Sequence, residues 1–136
     1  MHAKIHTYPL RILEGHLDTF GHVNNAVYLE MFEEARWDLI TNNGYGLKKI
    51  METRIGPTIL EMTIRFQKEL KLRDEIIIES RLVSYAKKIA VIEHRILRGT
   101  DICCTAEVVM ALFDLNSRKI IEPTPEWLLG IGAMTN

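Results

Sequence analysis

The sequence predicts an α+β fold in which one long helix lies across a curved antiparallel sheet of five strands. Three observations predict it. Only one stretch, from about Asn24 to Asn43, keeps apolar residues at helical spacing over a long run. Later stretches alternate or are rich in β-branched residues, and short turns join them, which makes neighbouring strands antiparallel. The helix stripe is broad enough to need a sheet as its cover.

In order along the chain, Lys4 to Leu13 read as the first strand, with Tyr8, Leu10 and Ile12 on one face. Pro9 cannot donate a ladder hydrogen bond, which places this strand at a sheet edge. A turn follows from Gly15 to Gly21. In the helix, Tyr28, Phe32, Ala35 and Leu39 form the stripe, widened by Val27 and Met31; Glu30, Glu33, Glu34, Asp38 and Thr41 fall mainly opposite. Asn24 is the expected N-cap, and the Gly44/Gly46 pair ends the helix. Leu47 to Thr53 suit a short helical turn, broken by Gly56-Pro57. Strands are then expected at Thr58–Gln67, Glu75–Ser84, Ile89–Leu97 and Ile102–Asp114. Tyr85–Lys88, Arg98–Asp101 and Asn116–Lys119 are the turns. Thr124 as N-cap and Pro125 at the first helical position predict a last short helix through Leu129, before Gly130. With no repeat or linker, residues 1–136 are expected to form one domain.

Composition narrows the function. Hydrophobic residues at 47% and charged residues at 26% give a globular balance, not a disordered one. A net charge of −1 argues against nucleic acid or an anionic membrane as partner. No apolar run approaches the roughly 18 residues of a membrane span, and the N-terminal stretch lacks a signal-peptide hydrophobic segment. Cys103 and Cys104 are adjacent in a strand-like run and should point to opposite faces, which suits neither a disulfide nor one zinc ion. A reduced, cytoplasmic protein is expected.

The chemistry concentrates in Gly15 to Trp37, GHLDTFGHVNNAVYLEMFEEARW. A polar turn carrying Asp18 runs straight into the helix start. Free N–H groups and the positive dipole end there can hold developing negative charge, while a carboxylate beside them can activate water or attack an electrophile. Asp18 could equally be a turn-forming or capping residue. His16 and His22 flank it, but His-x-Asp-x-x-x-His matches no well-defined zinc signature, so no metal is expected. The imidazoles could orient Asp18, line an entry, or only hold the turn. Asn24 and Asn25 serve as caps, as oxyanion donors, or as both, since cap and donor site share one helix end. Tyr28 and Phe32 lie on the packing stripe. Glu33 and Glu34 belong most simply to the solvated face, although Glu33 could pair with Arg36 at i,i+3. His94, mid-strand, is expected at a cross-strand or interface position.

The run His16-Leu17-Asp18-Thr19-Phe20-Gly21-His22-Val23-Asn24-Asn25-Ala26-Val27-Tyr28-Leu29, followed by Phe32-Glu33-Glu34-Ala35-Arg36-Trp37, resembles the hotdog-fold thioesterases of the 4-hydroxybenzoyl-CoA thioesterase-like superfamily. It is most similar to the bacterial long-chain acyl-CoA thioesterase branch, in which an H-L-D turn leads into H-V-N-N-A-x-Y-L-E and E-E-A-R-W. The resemblance implies a hotdog fold, one central helix wrapped by a five-stranded antiparallel sheet. It also implies a hydrolase of coenzyme A thioesters that uses no metal and no bound cofactor. Asp18, in a D-x-x-G pattern completed by Gly21 ahead of Val23, falls where the family has its catalytic carboxylate. Asn25 falls near the backbone N–H that polarises the thioester carbonyl. Other branches place a catalytic Glu on the helix, and Glu33 is the residue to test for that.

On this reading Asp18, Asn25 and His22 form the catalytic set, and His16, Gly21, Val23, Asn24, Tyr28 and Glu33 surround the substrate. Lys87 and Lys88, with Lys68 and Lys71, are weaker candidates for the coenzyme phosphates. The substrate is acyl-CoA or an acyl carrier protein thioester, and a fatty acyl group suits the aliphatic surroundings. Family members are usually dimers or tetramers with sites at subunit boundaries, and Thr58–Gln67 offers an edge without internal proline for pairing with a second copy. The rival readings are an acyl-CoA-binding sensor without turnover, and a hydratase. The hydratase branch separates its Asp and His by four residues, whereas three separate Asp18 from His22. No DNA-binding helices precede the fold, which weighs against a regulator.

Overall fold

A computed structural model describes residues 2–134. The predicted helix is α1 (Asn25–Asn42), capped by Asn24, whose Oδ1 accepts from the Ala26 N–H at 3.0 Å. Tyr28, Met31, Phe32, Ala35, Leu39 and Ile40 form its buried face. A fully buried aliphatic or aromatic side chain contributes about 1.5–3 kcal/mol, so this face anchors α1 far more strongly than helix propensity could.

The sheet that covers it contains β2 (His6–Arg11), β3 (Ile55–Phe66), β4 (Glu75–Ala86), β5 (Ile89–Arg98) and β6 (Asp101–Asp114), following β1 (His2–Ala3) at the chain start. Their spatial order is β2-β4-β5-β6-β3, antiparallel throughout, which is the five-stranded path expected. A three-residue strand, β7 (Lys119–Ile121), continues one side of β6 beyond the start of β5. β1 forms a separate two-residue ladder with β8 (Ala133–Met134). Register shifts at Ile59/Glu61, Leu82/Ser84 and Ile96/Leu97 mark bulges. Each bulge bends its strand and increases local twist, which curls the sheet around α1.

Both edges of the sheet carry a proline. Pro9 lies in β2, as expected. β3 starts three residues earlier than expected and runs through Gly56 and Pro57, because an edge strand is where a sheet tolerates proline. Gly56 is needed there for a different reason: a Cβ would lie 2.9 Å from Ile50 Cγ2 of α2 (Leu47–Thr53). The last helix, α3 (Pro125–Gly130), is capped by Thr124 and buries Trp127.

Cys103 and Cys104 depart from expectation. Both are fully buried, in the same core cluster as Phe32 and Ile96. The Ile96/Leu97 irregularity falls opposite Cys103, which is skipped between the pairs Ile96↔Cys104 and Leu97↔Ile102. The regular alternation of faces is broken at that point. They remain free thiols.

Candidate active site

The turn ahead of α1 is built by its own hydrogen bonds. Leu17 and Val23 form a bridge that closes a small loop, and within it the Asp18 N–H donates to His22 O at 2.8 Å. The Gly21 N–H donates to Asp18 O at 3.0 Å, with Gly21 at φ +78°, a region that L side chains rarely adopt. Val23 is buried and pins the loop to the core. Asp18 Oδ1 accepts from the Phe20 N–H at 2.9 Å and from the His22 N–H at 3.1 Å. Its Oδ2 has no hydrogen-bond partner among the described residues and the side chain is exposed. One oxygen therefore holds the carboxylate in place while the other is open.

The helix start beside it has a matching vacancy in its hydrogen bonding. Asn24 takes the Ala26 N–H with its side chain and the Val27 N–H with its carbonyl. This leaves the Asn25 N–H as the first helix donor without a partner among the described residues, at the positive end of the dipole. An open carboxylate oxygen and an open backbone donor thus lie seven residues apart in one turn-helix unit, a base or nucleophile and an oxyanion donor in kind.

The flanking histidines take different places. His16 Nδ1 accepts from the Leu13 N–H at 2.8 Å, holding the short 3₁₀ turn Glu14–His16. His22 is exposed, with Nδ1 3.8 Å from Glu69 Oε1. Among the described residues, no cluster of His, Cys, Asp and Glu could hold a metal ion. Tyr28 is buried, packs edge-on against Phe66 with ring centroids 5.1 Å apart, and has its phenol pushed up by burial.

Glu33 stands apart from this group. Eight residues beyond Asn25, it lies about 12 Å further along the helix axis. There it lines a cleft with Arg36, Trp37, Ile40, Ile59 and Met110. The expected Glu33–Arg36 ion pair does not form among the described residues. Arg36 instead turns into the core and donates from Nη1 to His94 Nε2 at 3.2 Å, while His94 Nδ1 lies 2.7 Å from Ser80 Oγ across the β4–β5 pair. The buried polar trio was legible in part. Arg36 follows Phe32 and precedes Ile40 at four-residue spacing, on the packing side, and His94 continues the inward alternation Ala90, Ile92, Ile96.

The lysine candidates separate. Lys87 and Lys88 form the turn before β5, whereas Arg98 at its far end contacts Glu69 O. Ten residues of strand put the two ends about 30 Å apart. Lys68, at the far end, is paired with Asp101.

A curled antiparallel sheet around one long helix is the hotdog arrangement. The chain belongs to the thioesterase-like superfamily, whose family model matches residues 12–131. It is 29% identical over 108 residues to the long-chain acyl-CoA thioesterase FadM of Escherichia coli, covering 78% of this chain and 81% of the relative. It is 25% identical over 114 residues to the acyl-CoA thioesterase YbgC of Haemophilus influenzae, covering 83% and 84%. The crystal structure of YbaW, a probable thioesterase from Escherichia coli, superposes with a TM-score of 0.82 at 25% identity, covering 99% of this chain and all of that one. The thioester-hydrolase class and the fold implied by the Gly15–Trp37 motif are therefore borne out.

Proposed function

We propose that the protein is a cytoplasmic acyl-CoA thioesterase that hydrolyses fatty acyl-CoA to free acid and coenzyme A. The substrate carbonyl oxygen accepts from the Asn25 N–H at the start of α1. Asp18, through its open oxygen, either takes a proton from the attacking water or attacks the carbonyl and expels the coenzyme A thiolate, leaving a transient mixed anhydride that water then cleaves to free acid and the Asp18 carboxylate. His22, exposed in the same loop and tied to Asp18 Oδ1 through its backbone N–H, completes the catalytic set. The observation that carries this reading is the pairing of an unpartnered helix-start N–H with a carboxylate held by only one of its oxygens. Its class is supported by relatives that are named acyl-CoA thioesterases.

The acyl chain runs between α1 and β3. On α1, Asn25, Leu29, Glu33 and Trp37 succeed one another at four-residue spacing and all are exposed. On β3, Ile64 packs on the core and Phe66 against Tyr28, while Ile59 lines the cleft beside Trp37. Ile59, Leu60 and Phe66 are all more than two-fifths exposed on an edge strand. A second copy pairing along β3 covers this edge and closes the acyl track.

The test is release of coenzyme A from acetyl-, hexanoyl-, myristoyl-, palmitoyl- and 4-hydroxybenzoyl-CoA, quantified by chromatography for wild type and Asp18→Asn. Long-chain turnover falling by about 10²–10⁴ in the variant supports the assignment. Turnover that survives the substitution moves the chemistry to Glu33, and acyl-CoA binding without any turnover makes the protein a sensor.

A further inference from the structure

We propose that the cleft beside Arg36 receives a carboxylate at the distal end of the acyl chain, so that acyl groups ending in a carboxylate are preferred to methyl-ended ones of equal length. This rests on the acyl-CoA reading only for where the thioester lies. Arg36 is 8% exposed and stays cationic in the core beside a neutral imidazole. A guanidinium carries five donors; one goes to His94, and no carboxylate lies within ion-pair distance of Arg36 among the described residues. Among those residues no buried side-chain nitrogen is sealed without a partner, so the remaining Arg36 donors are not closed off, and the cleft is a surface that Arg36 lines.

The cleft is suited to a chain end. At about 150 Å³ it is smaller than the roughly 300–1,000 Å³ that holds a whole drug-sized ligand. Its walls are otherwise mostly apolar, with Trp37, Ile40, Ile59 and Met110. Arg36 lies eleven residues past Asn25, about 16 Å along the axis, at the end of the exposed Asn25–Leu29–Glu33–Trp37 row. A chain held by its thioester at Asn25 and lying in that row delivers its far end to the guanidinium. A carboxylate there forms a charge-assisted, two-pronged pair in apolar surroundings, whereas a methyl end leaves the guanidinium with only the through-space charge of exposed Glu33 as compensation. Glu33, the carboxylate on the cleft, is exposed and makes no ion-pair contact with Arg36, although its charge reaches the guanidinium and favours its cationic form.

The experiment measures kcat/KM, and Kd by calorimetry, for octanoyl-, dodecanoyl- and hexadecanoyl-CoA and their ω-carboxylated counterparts. At one of these lengths the carboxylated form is favoured by about tenfold or more. The preference disappears in Arg36→Met and is partly kept in Arg36→Lys. Equal or better handling of the methyl-ended form at every length overturns the proposal, as does a preference unchanged in Arg36→Met. Should Arg36→Met not fold, the paired substrates on wild type decide alone. If no thioester is hydrolysed, the hydrolase reading fails, and calorimetry on the same pairs still decides whether the Arg36 cleft selects the carboxylate.

Discussion

Arg36 and His94 meet in the core with no acid between them, Nη1 to Nε2 at 3.2 Å. Arginine only donates, so Nε2 accepts and the imidazole proton sits on Nδ1, where it donates to Ser80 Oγ at 2.7 Å. Phe32 stacks on the His94 ring with centroids 5.2 Å apart. Burial, and after it the neighbouring guanidinium, push the His94 pKa down to about 3.

This depression makes stability depend on pH. The unfolded chain protonates His94 near pH 6.5 and the folded one only near 3, so between these values the unfolded state binds more protons. The contribution is complete above about pH 6.5 and is lost as pH falls toward 3, reaching about 4–5 kcal/mol. Urea denaturation at a series of pH values should show a steeper acid loss for wild type than for His94→Gln. Parallel curves would rule the assignment out.

Gly130 closes α3 against Tyr45. A Cβ there would lie 2.6 Å from Tyr45 Cβ, and Tyr45 cannot retreat easily because its OH donates to Ile55 O and its ring abuts Trp127. Gly130→Ala should cost about 1–3 kcal/mol in chemical denaturation. A change within error would show that α3 shifts freely.

Both thiols are sealed, and burial pushes Cys104 up to about 12 and Cys103 upward as well. Neither should react with a thiol-specific dye in the native protein, and both should react in denaturant. Fast native labelling would show that the β6 interior opens.

The β3 edge should make the protein a homo-oligomer by light scattering at micromolar concentration. Leu60→Lys, at the bulge of that edge, should shift it toward monomer and reduce turnover together. A wild-type monomer with full activity would refute the subunit-boundary site.

The turn at Asp18–Gly21, the Asn24 cap, the single long helix and the strand sequence were all readable, because turn chemistry, capping and periodicity are local. Pairing order and bulges are not local. That is why the sequence left Cys103 and Cys104 on opposite faces, ended the strand assignment short of Pro57, and grouped Lys87 with Lys68 although a strand's length divides them. It also offered Glu33 as a partner for Arg36, since which partner a charge finds depends on what packs over it. By itself the sequence determined which residues can do chemistry and the turn that presents them. Only the tertiary structure decided that Arg36 would be a core cation facing a cleft, because β5 had to bring His94 beneath α1 to accept one of its donors.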